Sequence, residues 1–194
     1  MELTVGGLKA AARVARTLPK PVTDGLARAI SLGAARFSPE QRLMAERNLR
    51  RALGPAASDA EIERMAQRVF DSYARYWVDT LSIPELSNAE IDRGFTYEGL
   101  NHIDDALAKG IGPILALPHL GGWEWAARWL SSVAGWKVAA VVEVLEPPEL
   151  FEWFVDLRRQ FGINVIPLGD GAALEVGAAI LNGEIMCLLA DRDV

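Results

Sequence analysis

From residue 95 onward the chain alternates short apolar runs with amphipathic stretches, and this alternation restricts the fold more than any other feature. The runs are 95–98, 113–117, 138–142, 164–168 and 185–190, and the segments between them, 100–109, 122–134, 147–161 and 172–182, read as helices. Repetition of that kind builds an α/β fold with a largely parallel central sheet and helices on both faces. Reactive groups in such sheets collect beyond the carboxyl ends of the strands, so the residues following each run are the ones to inspect.

The first 86 residues follow a different pattern. Leu8, Ala11, Ala12, Ala15 and Leu18 form one stripe and Lys9, Arg13, Arg16 and Lys20 another, as on an amphipathic helix that Pro19 and Pro21 end. A second helix is expected over 22–36. Ser38 and Pro39 start a third, which Gly54 and Pro55 stop, and Ser58 with Glu61 form a capping box for a fourth. That last helix is expected to bury Ile62, Met65, Val69, Tyr73, Tyr76, Trp77 and Leu81. The organisation predicted is therefore a helical, basic, membrane-associating part over 1–86 and an α/β catalytic core over 87–194. Because the chain stops at Asp191-Arg192-Asp193-Val194, directly after a strand of buried type, the core is expected to be incomplete at its C-terminus.

Charge separates the two parts as well. The net charge is -6, yet residues 1–53 carry ten Lys or Arg against four acids, which leaves -12 for the remainder. A basic leading segment either lies on an anionic surface, where each cation contributes on the order of 1 kcal/mol, or is simply a solvated helical face. No run approaches the length of apolar residues needed to span a bilayer, so any membrane contact is expected to be peripheral. The lone Cys187 sits in an apolar run, which rules out a disulfide within the chain and fits a reducing compartment. No Cys or His cluster has metal-ligand spacing, and an acidic body without interleaved aromatic and basic residues gives no nucleic-acid site.

The chemistry concentrates in Pro118-His119-Leu120-Gly121-Gly122-Trp123-Glu124, which follows the run ending at Leu117. A histidine there stands at a strand's carboxyl end, with a glycine turn behind it and an acid one turn into the next helix. On one regular helix, residues five apart are displaced by about 140°, whereas a turn at Gly121-Gly122 lets Glu124 return beside His119. An imidazole accepts a hydroxyl proton near neutral pH, and a carboxylate on its other nitrogen fixes the tautomer. Amides at the start of the helix are candidates to bind an oxyanion. His102, beside Asp104 and Asp105, reads as a solvated surface residue.

The PHLGGWE segment resembles the His-x4-Asp/Glu motif of the lysophospholipid acyltransferase superfamily. Ala74 to Trp77 (ARYW), Glu143 to Arg158, the terminal LLADRD and the Arg47 to Arg51 helix match, in order, the branch holding the lipid A late acyltransferases, and the sequence is most similar to its phosphatidylinositol mannoside members. The resemblance implies a peripheral enzyme on the cytoplasmic face of the cell membrane. It would transfer a fatty acyl group from acyl-CoA, a co-substrate and not a bound cofactor, to a hydroxyl of a membrane glycolipid. Alternatives are an acyl-carrier-protein-dependent lipid A-type or lysophospholipid acyltransferase, or a non-catalytic membrane scaffold.

By the same resemblance His119 is the base, Glu124 the motif acid, and Asp191 a second carboxylate for His119, one methylene shorter than the usual Glu. Glu143 and Arg158 would line the site as an ion pair, and Arg192 either meets the phosphates of acyl-CoA or only separates two acids. Gly169-Asp170-Gly171 reads as an ordinary turn, lacking the lysine of a phosphate loop. Trp123, Trp125, Trp129 and Trp136 either wall an acyl channel or belong to the core, the latter favoured for Trp125 and Trp129.

Overall fold

The computed structural model describes residues 5–191, apart from the side chain of Val5. The chain divides into two compact units, Ala10–Ser82 and a second made of Ile83–Val194 with the leading Met1–Lys9.

The first unit takes in α1 (Val5–Thr17) from Ala10 onward, α2 (Lys20–Phe37), α3 (Pro39–Leu53) and α4 (Asp59–Ser82). Pro19, extended at ψ 146, separates α1 from α2, and Gly54 at φ 81 ends α3 in a conformation that suits glycine. Ser38 stands between α2 and α3 as expected, but its backbone N–H closes α2 on Ala34 and its side chain caps nothing. Only half of the Ser58–Glu61 box forms, the Glu61 N–H donating to Ser58 Oγ at 3.3 Å. α2 and α4 pack closely together, with Ala27, Ser31 and Ala35 buried on one helix and Ile62 and Ala66 on the other. The Ser31 hydroxyl and the Gln67 amide both donate to Asp71, which satisfies the polar atoms in this packing. The expected apolar side of α4 is buried only in part, since Val69 and Tyr73 are exposed.

The second unit carries the sheet. Short helices α5 (Asn88–Arg93) and α6 (Asn101–Leu107) precede β1 (Ile114–Leu117), α7 (Trp123–Ser132), β2 (Val138–Val142), α8 (Pro148–Gln160), β3 (Ile163–Pro167), α9 (Ala172–Leu181) and β4 (Ile185–Leu189). All four strands are parallel in the order β1-β4-β2-β3. The crossovers through α7 and α8 run one way across the sheet and that through α9 runs back, so right-handed connections place α9 on the face opposite the other two. One face of β2, β3 and β4 (Ala139, Ile166, Met186) packs on Ala172 and Ala179 of α9. The alternate residues Val138, Ala140, Ile163, Ile185 and Cys187 are buried too, which is why these strands read as continuous apolar runs.

One expected strand is missing. Residues 95–98 are irregular and pair with no strand of the sheet, and the Phe95 and Tyr97 rings pack against Trp129 with centroids 5.1 and 4.8 Å away. A Ser87–Glu90 capping box, absent from the sequence expectations, starts α5. Gly112 allows the chain entering β1 to approach Glu184 ahead of β4, where a Cβ would meet the Glu184 carbonyl oxygen at 1.8 Å. No helix among the described residues is long and apolar enough to cross a membrane.

Candidate active site at the carboxyl ends of the strands

Strand register brings the first pair together. Leu117 of β1 lies beside Leu189 of β4, and the Ala190 N–H donates to the Leu117 carbonyl at 2.8 Å. Continuing both strands by two residues puts His119 level with Asp191. The Asp191 carboxylate then accepts two bonds from one residue, from the His119 backbone N–H at 2.8 Å and from the ring Nδ1 at 2.6 Å. The shorter aspartate reaches the ring because the adjacent strands, not side-chain length, set the distance.

The loop beyond His119 is short. Leu120 donates to the Pro118 carbonyl, Gly121 turns at φ 63, and Gly122 opens α7. The two side chains are about one-third exposed, 34% for His119 and 37% for Asp191. Bonding to the His119 ring, and next to its N–H, holds the Asp191 carboxyl below the usual carboxylate range. An ionised carboxylate only accepts, so the proton of the neutral imidazole belongs on Nδ1 and the basic lone pair on Nε2.

Glu124 has a different environment. It is 1% exposed in the first turn of α7, with Oε1 3.5 Å from an Arg158 guanidinium nitrogen of α8. The Arg158 guanidinium lies over two rings, 5.2 Å from the Trp123 centroid and 5.4 Å from that of Phe154. The carboxylate bonded to the His119 ring is Asp191, the second carboxylate that the resemblance implies, and Glu124 contacts Arg158. The expected Glu143–Arg158 pair does not form, since Glu143 is exposed just past β2. Phe154 was missed, although its position four residues before Arg158 on α8 is the spacing that stacks helical neighbours.

The remaining expectations sort by burial. Trp129 is buried and donates to Asp92 Oδ1 at 2.8 Å, and Trp125 donates to the Ile91 carbonyl at 3.0 Å, so both tie α7 to α5. Trp123 is buried against Arg158, and Trp136 is half-buried. Gly169-Asp170-Gly171 is the plain turn into α9, and His102 is exposed on α6. Arg192 lies outside the described residues.

Comparison with known proteins shows the family. The family described as bacterial lipid A biosynthesis acyltransferase matches residues 7–194. A phosphatidylinositol mannoside acyltransferase of Mycobacterium tuberculosis is 35% identical over 175 residues, covering 86% of this chain and 54% of that protein. The protein of the same name from Mycolicibacterium smegmatis is 32% identical over 196 residues, covering 100% of this chain and 63% of its own length. The chain thus spans between about half and two thirds of the curated relatives it matches. With nearly its whole length matched and the motif histidine at a strand end, the chain belongs to the bacterial lipid A biosynthesis acyltransferase family.

Proposed function

We propose that this chain carries the acyl-transfer centre of an enzyme working on the cytoplasmic face of the cell membrane. It moves a fatty acyl group from acyl-CoA to a hydroxyl of a glycolipid of the phosphatidylinositol mannoside type. The observation that carries this reading is the His119–Asp191 pair at the ends of adjacent strands.

In this reading His119 Nε2 takes the proton from the acceptor hydroxyl as its oxygen attacks the thioester carbonyl. The tetrahedral oxyanion is met by amides of the first turn of α7, a helix terminus suited to negative charge. Collapse expels the coenzyme A thiolate, and the proton on Nε2 passes to that sulfur, so the ester, free thiol and neutral histidine are restored. Asp191 steadies the imidazolium formed midway. Glu124 holds Arg158, and Glu143 borders the substrates. The basic residues of 1–86 keep the centre on an anionic leaflet where the acceptor resides.

The test is acyl transfer in vitro from acyl-CoA to a phosphatidylinositol mannoside acceptor. His119→Ala is expected to lower the rate by roughly 10² to 10⁴-fold, the usual worth of a general base, with the fold retained. A folded His119→Ala protein with normal activity would sink the mechanism. An acyl carrier protein thioester used in preference to acyl-CoA would move the donor to the alternative class. Absence of even slow acyl-CoA hydrolysis would favour a scaffold.

A further inference from the structure

Three side-chain hydrogen bonds among the described residues tie α5 to one stripe of α7. The Trp125 indole N–H donates to the Ile91 carbonyl at 3.0 Å, the Trp129 indole N–H to Asp92 Oδ1 at 2.8 Å, and Asn88 Nδ2 to the Ser132 carbonyl at 2.8 Å. Positions 125, 129 and 132 lie four and three residues apart, which sets them one above another on a helix.

Trp125 differs from the other two in where it stands. It is the third residue of α7, in the turn whose leading amides have no partner within the helix. Its own backbone N–H and that of Ala126 donate to the Gly122 carbonyl at 2.9 and 3.4 Å. The Trp123 and Glu124 amides are therefore the leading donors of the helix, and Leu120, Gly121 and Gly122 alone separate them from His119. The Trp125 ring also rests on Gly94, where a Cβ would meet its Cζ2 at 2.5 Å. Gly94 has φ -87, open to any residue, so the closeness of the ring and not the backbone calls for glycine. A first turn that shifted would break the Ile91 bond in one direction and press the ring on Gly94 in the other. Amides aimed at an oxyanion act only at hydrogen-bond distance, and a misplacement of about 1 Å can cost on the order of a hundredfold in rate.

We propose that Trp125 is a positioning residue. Bonded to the Ile91 carbonyl and seated on Gly94, it fixes the first turn of α7 so that the Trp123 and Glu124 amides meet the oxyanion of acyl transfer. The inference rests on the function proposed above and adds the side chain that aims those donors.

The experiment compares three variants of the whole protein with the parent. Trp125→Phe keeps a ring without the N–H, Gly94→Ala pushes on the ring, and Trp129→Phe loses the same kind of bond one turn further from the helix start. Trp125→Phe and Gly94→Ala are expected to lower kcat for transfer from acyl-CoA about tenfold, less than removal of an oxyanion donor costs, with KM for acyl-CoA little changed. Each should weaken binding of a trifluoromethyl ketone analogue of palmitoyl-CoA, which hydrates to a tetrahedral centre, by the same factor. Binding of the thioether S-hexadecyl-CoA, which mimics the ground state, should stay at the parent value. Trp129→Phe should lose similar stability, one hydrogen bond, yet keep kcat within about twofold of the parent. Equal losses of kcat in the two tryptophan variants, or unmoved affinity for the ketone in Trp125→Phe and Gly94→Ala, would reduce Trp125 to a packing residue and overturn the proposal. A parent without transfer activity overturns the acyl-transfer reading and this inference together, whereas either of those results in an active enzyme overturns this one alone.

Discussion

Asp191 and Glu124 lie in the same compact unit, yet they occupy opposite environments. Asp191 is more than one-third exposed and holds a histidine by two hydrogen bonds, whereas Glu124 is 1% exposed and faces a half-buried arginine that lies over two aromatic rings. Spacing along the chain favours Glu124 as the partner of His119, being only five residues away, while Asp191 is seventy-two away. The sheet reverses that order. Adjacent parallel strands carry the distant residue into register with the histidine, and the helical turn takes the near one inward. The two carboxylates should therefore fail in different ways when removed.

The largest expected effect is on folding. Glu124→Ala leaves the Arg158 cation, 16% exposed, without its acid in a site of low polarity. Breaking a buried pair from one side costs about 3–5 kcal/mol, and the 3.5 Å separation here argues for the lower end of that range. Urea unfolding of Glu124→Ala against the parent measures it. A loss under about 1 kcal/mol, in the range of a surface pair, would show that the pair contributes no more than an exposed one and erase the contrast with Asp191.

Asp191→Asn should instead spare the fold and damage the reaction. The amide can still contact His119, but it neither favours the Nδ1-protonated tautomer nor balances an imidazolium charge. Transfer activity should fall by roughly tenfold to a hundredfold, the effect of weakening one charge-assisted hydrogen bond. The readout is kcat with KM little changed. A Glu124→Gln variant with the larger loss of kcat at equal stability would reverse the roles assigned to the two acids.

What could be read from the chain follows the same division between local and long-range causes. β1 to β4 and the helices after residue 100 were legible because continuous apolar runs and helical periodicity are local, as was the glycine turn behind His119. The irregular 95–98 segment was not, since Phe95 and Tyr97 alternate as in a strand but no strand of the sheet lies beside them to pair with, and their rings pack on Trp129. The strand order β1-β4-β2-β3 appears nowhere in the alternation, and it alone makes Asp191 the neighbour of His119. The choice of Glu124 over Glu143 by Arg158 likewise depends on where α8 docks, which residue spacing does not encode.

The smallest expected effect lies in the titration of Asp191. Its carboxyl is held below the ordinary range first by the His119 ring and next by the His119 N–H. A depressed carboxyl stabilises the folded chain above its unfolded value, about 3.9, and loses that contribution as pH falls through the lower folded value. Wild type and His119→Ala should therefore differ at neutral pH and converge in acid. Carboxyl carbon resonances followed by NMR should give a higher Asp191 midpoint in His119→Ala, though still short of the unfolded value because the backbone N–H continues to donate. An unmoved midpoint would mean that the main chain alone holds the carboxylate. Asp191 would then anchor the loop and not orient the ring, and the distinction drawn between it and Glu124 would reduce to two structural acids in different degrees of burial.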